Sequence, residues 1–275
     1  MQCEYSINLT VHNRDFLLER TLKSIKDFTV GDYELVIVLD GCVDNSERIC
    51  KEWEPQFSHF KLLYANDIYE TLSNNLSMKN SNSEYIIIVQ DDMVITELGW
   101  NERLSIPIKI FDDVFAVSAR ATHNFHINPN SQEIHSKVYN PSRWADILIA
   151  YDPAGVSQNT PRNKFVIRNS CIRGPLLLRN DIVTKLNYLD EDFAPGDLDD
   201  HELCYRAYKQ LGMKCGVFTI GFLHKHEWGA TRRPNDINGL PREWVLKSHF
   251  KNSHLMVQRY YDLLTSNHNE ERTID

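Results

Sequence analysis

Four short apolar runs, each followed by polar residues, constrain the fold of this chain more than any other feature. The second and fourth runs, Tyr33–Leu39 and Tyr85–Val89, are almost continuously apolar and have the length of a strand. Such runs are typical of parallel strands that are covered on both faces. Segments with the apolar spacing of helices lie between the runs. This alternation predicts an α/β fold with a mostly parallel central sheet flanked by helices.

Polar residues that follow three of the runs indicate where a ligand would bind. His12-Asn13-Arg14 follows the first run, Asp40-Gly41 follows the second, and Gln90-Asp91-Asp92 follows the fourth. In a parallel sheet the carboxyl ends of the strands lie at one edge, and ligands bind in the crevice beyond that edge. The sequence therefore predicts one polar site formed by all three segments.

The charge and the apolar content of the chain argue against several classes of protein. A net charge of -8 over 275 residues disfavours a nucleic-acid partner, because phosphate contacts need clustered Lys and Arg. No run approaches the roughly 18 consecutive apolar residues of a membrane span, and residues 1–4 do not resemble a signal peptide. The six cysteines show no CxxC spacing. We therefore expect a cytoplasmic protein with reduced thiols, and peripheral association with the inner face of a membrane is left open.

The second half of the chain is less regular, and three of its segments predict further elements. Phe165–Leu178 predicts one or two strands, interrupted at Arg173-Gly174-Pro175. Asp199–Leu211 has the spacing of a helix, and Cys215–Leu223 predicts a single strand that leads into His224-Lys225-His226. The chain contains neither a GxGxxG nor a GxxxxGK[ST] phosphate loop, so a bound nucleotide would need another way of holding its phosphates.

The order of these motifs resembles glycosyltransferase family 2, whose members have the GT-A fold. The resemblance rests on five segments: Ser6–Arg14, Val38–Ser46, Glu84–Asp92, Asp199–Arg206 and His226–Thr231. Together they extend over roughly residues 5–231. The resemblance implies inverting transfer of a sugar from a nucleotide-diphosphate donor, with UDP-sugars favoured, to an acceptor hydroxyl.

The same resemblance implies how the chain is divided. Residues 1–240 would form a GT-A (Rossmann-like) domain, with a donor-binding half at about 1–120 and an acceptor-binding and catalytic half at about 121–240. Residues 241–275 would form a C-terminal helical extension. The implied acceptor is a glycan, a lipid-linked compound or another hydroxyl compound, and the implied pathway is synthesis of a polysaccharide, a lipopolysaccharide or a glycoprotein glycan.

A pair of carboxylates after the fourth run predicts a divalent cation site. A diphosphate leaving group gains negative charge as the glycosidic bond breaks, and a bridging cation stabilises that charge. Mn²⁺ and Mg²⁺ prefer oxygen ligands, so we expect Asp92 to bind one of them. Asp91 beside it would contact the nucleotide-sugar donor or support the ion indirectly. His226 or His224 would add an imidazole ligand and favour Mn²⁺. The alternative is that the carboxylates solvate a turn and the histidines are structural.

The resemblance also assigns residues to the nucleotide. Thr10, His12 and Arg14 stand where the family holds the base and the phosphates. Asp40 would accept a hydrogen bond from a base N–H such as that of uracil. Gln90 replaces the first acidic residue of the family's DxD motif, and its amide would bind a ribose hydroxyl.

Three further residues are candidates for contacts with the sugar. Gly174 would let the main chain approach the sugar, although a plain turn explains this glycine equally well. Trp228 and Phe193 would stack on a sugar face unless they belong to the core. The chain departs from the family pattern at Leu39 and at Asn74-Asn75, where an Asp and Arg-Asn are usual. These departures concern the donor base and sugar more than the reaction type.

Inverting transfer needs a base that removes the acceptor hydroxyl proton. By the family pattern this base is a carboxylate of Asp199-Asp200, and we expect Asp200 to be the base. Asp also stabilises helix N-termini by roughly 1 kcal/mol, so one carboxylate would cap the helix while the other reacts. Two other functions stay open. One is a metal-dependent nucleotidyltransferase, which usually has a glycine-rich basic loop after the first strand, and the other is an inactive sugar- or nucleotide-binding module.

Overall fold

The structure, a computed structural model, describes residues 3–137, 161–225, 228–229 and 242–274. The first half of the chain alternates strands and helices, as the apolar runs predict. Its elements are β1 (Cys3–Val11), α1 (Asp15–Phe28), β2 (Tyr33–Asp40), α2 (Ser46–Trp53), β3 (Phe60–Ala65), α3 (Tyr69–Lys79), β4 (Ser83–Gln90), β5 (Met93–Ile95), α4 (Trp100–Ile110) and β6 (Val114–Ser118).

The second half consists of shorter elements, as expected from its irregular pattern. They are β7 (Thr122–His123), β8 (Phe125–Ile127), β9 (Ile134–Ser136), β10 (Lys164–Arg168), β11 (Ser170–Cys171), β12 (Leu176–Arg179), α5 (Asn180–Lys185), α6 (Asp199–Leu211), β13 (Lys214–Val217), β14 (Phe222–His224), α7 (Arg242–Thr265) and β15 (Glu270–Thr273). None of the described helices has both the length and the apolar character needed to cross a membrane.

Nine strands form the central sheet in the order β15-β10-β13-β6-β12-β4-β1-β2-β3. The strands β1, β2, β3 and β4 are mutually parallel. Two strands, β12 and β10, run against their neighbours on both sides, and the other seven share one direction. The sheet is therefore mostly parallel in strand direction, as predicted, and the carboxyl ends of β1, β2 and β4 lie side by side.

Apolar side chains cover both faces of the sheet. In β4, Ile87 and Val89 pack into one core cluster with residues of α1 and α4, whereas Ile86 and Ile88 pack into a second cluster with residues of α5 and α6. This alternation explains why the middle of β4, Tyr85–Val89, is continuously apolar, because successive side chains of a strand point to opposite faces. Full burial of each such side chain stabilises the fold by about 1.5–3 kcal/mol.

The single strand predicted for Cys215–Leu223 is wrong, because this segment forms two strands in different sheets. β13 pairs with β6 and β10 in the central sheet, whereas β14 pairs with β5. Gly221 lies in the link between them, and its N–H donates to Glu97 Oε2 at 2.6 Å. In β14, His224 lies opposite Met93, which is one residue after Asp92.

The last described segment, residues 242–274, forms a helix and then a strand at one edge of the central sheet. The predicted helical extension at 241–275 includes α7, and the strand β15 that follows pairs with β10 at the sheet edge. No apolar pattern predicts this strand, whose sequence is Glu-Glu-Arg-Thr. Arg272 holds it in place through two hydrogen bonds to the Asp113 carboxylate, at 2.5 and 2.7 Å.

Candidate active site

A cleft of about 530 Å³ opens at the carboxyl ends of the parallel strands. It brings together predicted site residues from β1, β2, β4, α6, β14 and the loop after β4, namely Thr10, His12, Asp40, Gln90, Asp91, Asp92, Asp200 and His224. Three other predicted residues, Arg14, Gly174 and Asp199, are not among those lining it. The predicted ligand His226 lies outside the described residues.

Asp92 and His224 meet at the floor of the cleft. His224 Nε2 lies 3.2 Å from Asp92 Oδ2, and both side chains are buried. Burial raises the pKa of Asp92, but the hydrogen bond and charge of His224, with the charges of Arg120 and Arg14, outweigh it, and the pKa is lowered. The second Asp92 oxygen and His224 Nδ1 have no hydrogen-bond partner among the described residues. Buried polar atoms of this kind usually have a partner, so both are open to a ligand.

Asp91 is held between the first strand and a buried arginine. Its Oδ2 accepts the main-chain N–H of His12 at 3.1 Å, and its Oδ1 lies 3.8 Å from Nε of the buried Arg14. Burial raises the pKa of Asp91 to about 7 despite the charge of Arg14. This carboxylate is therefore partly protonated near neutral pH.

The raised pKa of Asp91 predicts a pH-dependent stability of the metal-free protein. The usual pKa of Asp is about 3.9, so above that pH the unfolded state has lost a proton that the folded state still holds on Asp91. The stability of the wild type therefore falls as the pH rises toward 7. We expect the free energy of unfolding of Asp91→Asn, measured relative to that of the wild type, to rise by on the order of 2 kcal/mol from pH 5 to pH 8. Urea unfolding in EDTA would measure this. The exposed Asp112→Asn variant is the control, and a constant difference for Asp91→Asn would contradict the prediction.

Asp200 lies on the cleft wall and is bound to Arg173. Its Oδ2 accepts the main-chain N–H of Arg173 at 2.8 Å and lies 3.3 Å from Arg173 Nε. Its Oδ1 accepts the main-chain N–H of His201 at 2.8 Å. Burial opposes ionisation, but the charges of His201 and Arg173 and these hydrogen bonds hold the pKa of Asp200 well below its usual range. Asp200 is therefore ionised at neutral pH.

Asp199 lies behind this wall, fully buried. Its carboxylate pairs with Arg173 Nη2 and accepts the Thr71 hydroxyl at 2.8 Å and the main-chain N–H of Asp200 at 3.1 Å. A side chain without solvent contact does not reach an acceptor in this conformation. In this geometry Asp199 anchors Arg173. The N-cap of α6 is Leu198, and no side chain caps the helix at that residue.

A polar network joins Arg173 to the DxD-like segment. Arg173 Nη1 lies 3.3 Å from Glu70 Oε1, which also accepts the Gln90 amide at 3.0 Å. The amide oxygen of Gln90 accepts Arg120 Nη1 at 3.1 Å. Gln90 therefore links an acidic and a basic residue, as an amide can and a carboxylate cannot.

Both the main-chain conformation at position 174 and the close side chains around it favour glycine there. Its φ is +81°, and a Cβ there would collide with the Gln90 side-chain oxygen and lie 2.7 Å from Met93 Cε. We expect Gly174→Ala to lower the free energy of unfolding by on the order of 2–4 kcal/mol. Gly212→Ala is the matched control. Gly212 has a φ of +67° and no neighbour within 4 Å, so only the backbone cost of about 1 kcal/mol should remain. Equal losses in urea unfolding would show that the collision has no cost.

Asp40 supports the loop that precedes α3. Its two carboxylate oxygens accept the main-chain N–H groups of Ile68 and Tyr69, each at 2.7 Å. Its main-chain oxygen accepts Nδ1 of His12 at 2.7 Å, which fixes the proton of this imidazole on Nδ1. Asp40 and His12 thus form the rim of the cleft together with Thr10.

Neither predicted aromatic residue lines the cleft. Phe193 has no exposed surface and packs in a core cluster with Tyr205 and Met256, so the prediction that it stacks on a sugar is wrong. Trp228 packs on Leu17 and Val94 and is not among the residues that line the cleft, although its neighbour Gly229 is. Both aromatics fit the alternative of core packing.

Several cleft residues had no signal in the sequence. Arg120 and Glu70 are isolated polar residues that both contact Gln90, which lies 30 and 20 residues away in the chain. Four residues at the start of α7 also line the cleft, namely Val245, Leu246, Ser248 and His249. His249 Nδ1 lies 2.7 Å from Asp197 Oδ2, and this hydrogen bond raises the pKa of His249. The positive φ of Asp197 (73°) and of Leu198 (63°) is a strained backbone next to Asp200, which is common at functional sites.

The described lining of the cleft is acidic. Six acidic side chains line it, against two guanidinium groups and four imidazoles. These residues are Asp40, Glu70, Asp91, Asp92, Asp197, Asp200, Arg120, Arg173, His12, His201, His224 and His249. A negatively charged lining attracts a cation and repels a free anion.

Comparison with known proteins identifies the family. The profile described as Glycosyl transferase family 2 matches residues 6–173, more than half of the chain, so the chain belongs to this family. A search of curated proteins found no match. The enzyme is a glycosyltransferase with the GT-A fold.

Solved structures of TarS from S. aureus share this fold. The fragment TarS 1-349 has 14% identity and a TM-score of 0.52, with 96% of this chain and 75% of that chain covered. The same fragment in complex with UDP has 15% identity and a TM-score of 0.51, with 96% and 75% covered. The complex with UDP-GlcNAc has 13% identity and a TM-score of 0.51, with 96% and 76% covered.

Proposed function

We propose that this enzyme transfers a sugar with inversion from a UDP-sugar to an acceptor hydroxyl, with a divalent cation at Asp92 and with Asp200 as the base. The observation that supports this most is that Asp92, His224 and Asp200, from distant parts of the chain, line the same cleft. The crystal structures of TarS with UDP and with UDP-GlcNAc favour UDP as the nucleotide of the donor.

The residues at the floor of the cleft fit Mn²⁺ or Mg²⁺. Asp92 has one buried oxygen without a partner among the described residues, and His224 has one such nitrogen. These are atoms that a divalent cation accepts as ligands, and the imidazole favours Mn²⁺. When bound, the cation would supply positive charge to the diphosphate leaving group. His226 stays a candidate for a further ligand.

The rim of the cleft supports binding of the nucleotide. We assign Thr10, His12 and Asp40 to the base and ribose, because they end adjacent parallel strands and line the cleft. Gln90 and Asp91 would contact the ribose or the sugar from the end of β4. Arg14 is buried behind Asp91 and would act on the phosphates through its charge.

Asp200 supports the proton transfer. Its carboxylate is ionised at neutral pH and is fixed by the main-chain N–H groups of Arg173 and His201. A fixed carboxylate can accept the acceptor hydroxyl proton as the oxygen attacks the anomeric carbon. Asp199 would act as a positioning residue through Arg173, and Gly174 would allow the main chain to approach Gln90.

The proposed acceptor is a glycan, a lipid-linked compound or another hydroxyl compound, bound between the α6 and α7 walls. The pathways expected for such an acceptor are synthesis of a polysaccharide, a lipopolysaccharide or a glycoprotein glycan. A cytoplasmic location, with peripheral attachment at the inner face of a membrane as the alternative, stays a prediction.

Donor hydrolysis tests the proposal without knowledge of the acceptor. A panel of nucleotide sugars would be incubated with the enzyme in Mn²⁺, in Mg²⁺ and in EDTA, and the released nucleoside diphosphate would be measured. We expect release from a UDP-sugar that depends on the cation and stops in EDTA. Undiminished release in EDTA would remove the cation from the mechanism. If the protein binds a nucleotide sugar but releases no nucleoside diphosphate, with or without candidate acceptors, an inactive binding module is favoured.

A further inference from the structure

A second group of metal-ligand side chains lies at the amino ends of the strands, at the opposite edge of the sheet from the cleft. Cys3 begins β1, Asp32 precedes β2 and His59 precedes β3. One sulfur, one carboxylate oxygen and one imidazole nitrogen of these residues all lie within 4.8 Å of one another. None of the three residues lines the cleft or takes part in the function proposed above.

We propose that Cys3, Asp32 and His59 form a zinc site, separate from the site of sugar transfer. Zn²⁺ binds Cys sulfur, His nitrogen and Asp oxygen in tetrahedral geometry, and a water molecule would be the fourth ligand. Two N or O ligands at 2.0–2.2 Å from a tetrahedral ion lie about 3.4 Å apart. His59 Nε2 and Asp32 Oδ1 are 3.7 Å apart, which is a few tenths of an ångström more than this spacing.

The main chain fixes the positions of the three residues. The N–H of Glu4, next to Cys3, donates to the main-chain oxygen of Asp32 at 3.2 Å. The N–H of Leu35 donates to the main-chain oxygen of His59 at 2.9 Å. The ligands therefore begin three strands that are already joined by the sheet, which lowers the entropy lost when an ion orders them.

The surroundings of the site favour a cation. The carboxylates of Asp32 and Glu34 lie near Cys3 and would attract a divalent ion. Cys3 is only 5% exposed, whereas the side chains of Asp32 and His59 are 55% and 51% exposed. An ion can thus enter from solvent through these two residues. Bound there, it would link the amino ends of β1, β2 and β3.

Cobalt tests the site, because Co²⁺ takes zinc sites and gives a near-ultraviolet charge-transfer band only when a thiolate is bound to it. Metal-stripped full-length protein would be titrated with Co²⁺ under reducing conditions and then with Zn²⁺. We expect one equivalent of Co²⁺ to produce the band and Zn²⁺ to abolish it. Cys3→Ser should lose the band, and His59→Ala should weaken Co²⁺ binding by at least about 10-fold.

Two control variants separate this site from other metal-binding groups. Asp92→Ala removes the proposed cation ligand in the cleft and should keep the band. Cys204→Ala disrupts the buried cluster of Cys171, Cys204 and Cys215, whose sulfurs also lie within 4.8 Å of one another, and should keep the band too. No band in the wild type, or a band that survives Cys3→Ser, would overturn the proposal. If Cys3→Ser does not fold, the exposed variants His59→Ala and Asp32→Ala decide, and unchanged Co²⁺ binding in both would overturn it.

Discussion

Replacing Asp200 with Asn is expected to lower the rate of sugar transfer by about 10²–10⁴-fold while the donor still binds. The amide has nearly the same shape and can still accept the main-chain N–H of Arg173, which Asp200 Oδ2 accepts at 2.8 Å. Its NH2 group cannot accept the main-chain N–H of His201, so one hydrogen bond of the carboxylate is lost. The amide cannot take a proton from the acceptor hydroxyl at neutral pH. Turnover with an identified acceptor gives kcat, and calorimetry with the UDP-sugar and Mn²⁺ gives the donor affinity, which should change by less than about 3-fold.

Asp197→Asn is the matched control for this prediction. Asp197 lines the same cleft three residues earlier, and its carboxylate binds His249 rather than Arg173. We expect its kcat to fall by less than about 10-fold. If Asp200→Asn weakens donor binding as much as it slows transfer, Asp200 acts in building the site and the base is another group.

Asp92→Ala is expected to reduce cation-dependent donor hydrolysis by at least about 100-fold. The substitution removes the carboxylate that His224 contacts and leaves Arg14 and Arg120 without one of the charges that balance them. The Mn²⁺ affinity should fall with the rate, because the variant loses the proposed ligand. Release of UDP and Mn²⁺ binding by calorimetry would be measured on the same samples.

The isosteric variant Asp92→Asn separates charge from shape, and we expect it to lose nearly as much activity as Asp92→Ala. The exposed Asp112→Asn variant should behave as the wild type. In EDTA the wild type and both Asp92 variants should be equally inactive. A variant at Asp92 that keeps its Mn²⁺ affinity would move the cation to other residues of the cleft.

The strands of the first half were predictable because burial on both faces of a parallel sheet determines their apolar pattern. The middle residues of β2 and β4 are apolar, since helices cover both faces, and the polar carboxyl ends of these strands mark the binding edge of a parallel sheet. The convergence of His12, Asp40 and Asp92 on one cleft followed from that reasoning.

The second half was less predictable because tertiary contacts determine it. The link between β13 and β14 is held at Gly221 by Glu97, which is 124 residues away in the sequence. Arg173 stands in an irregular stretch, and its three carboxylate partners come from α3 and α6. In the sequence, Phe193 looks the same whether it binds a sugar or belongs to a core, and only its packing in the fold distinguishes the two roles. No spacing rule detects contacts of this kind.

The acidic lining of the cleft has a kinetic consequence. A UDP-sugar carries its own negative charge, and the six carboxylates disfavour its entry as a free anion. The substrate that associates productively should then be the cation complex, or the protein should take up the ion first. In initial-rate measurements, the KM for the donor is expected to fall as Mn²⁺ is raised, and the order of assembly would be set by electrostatics.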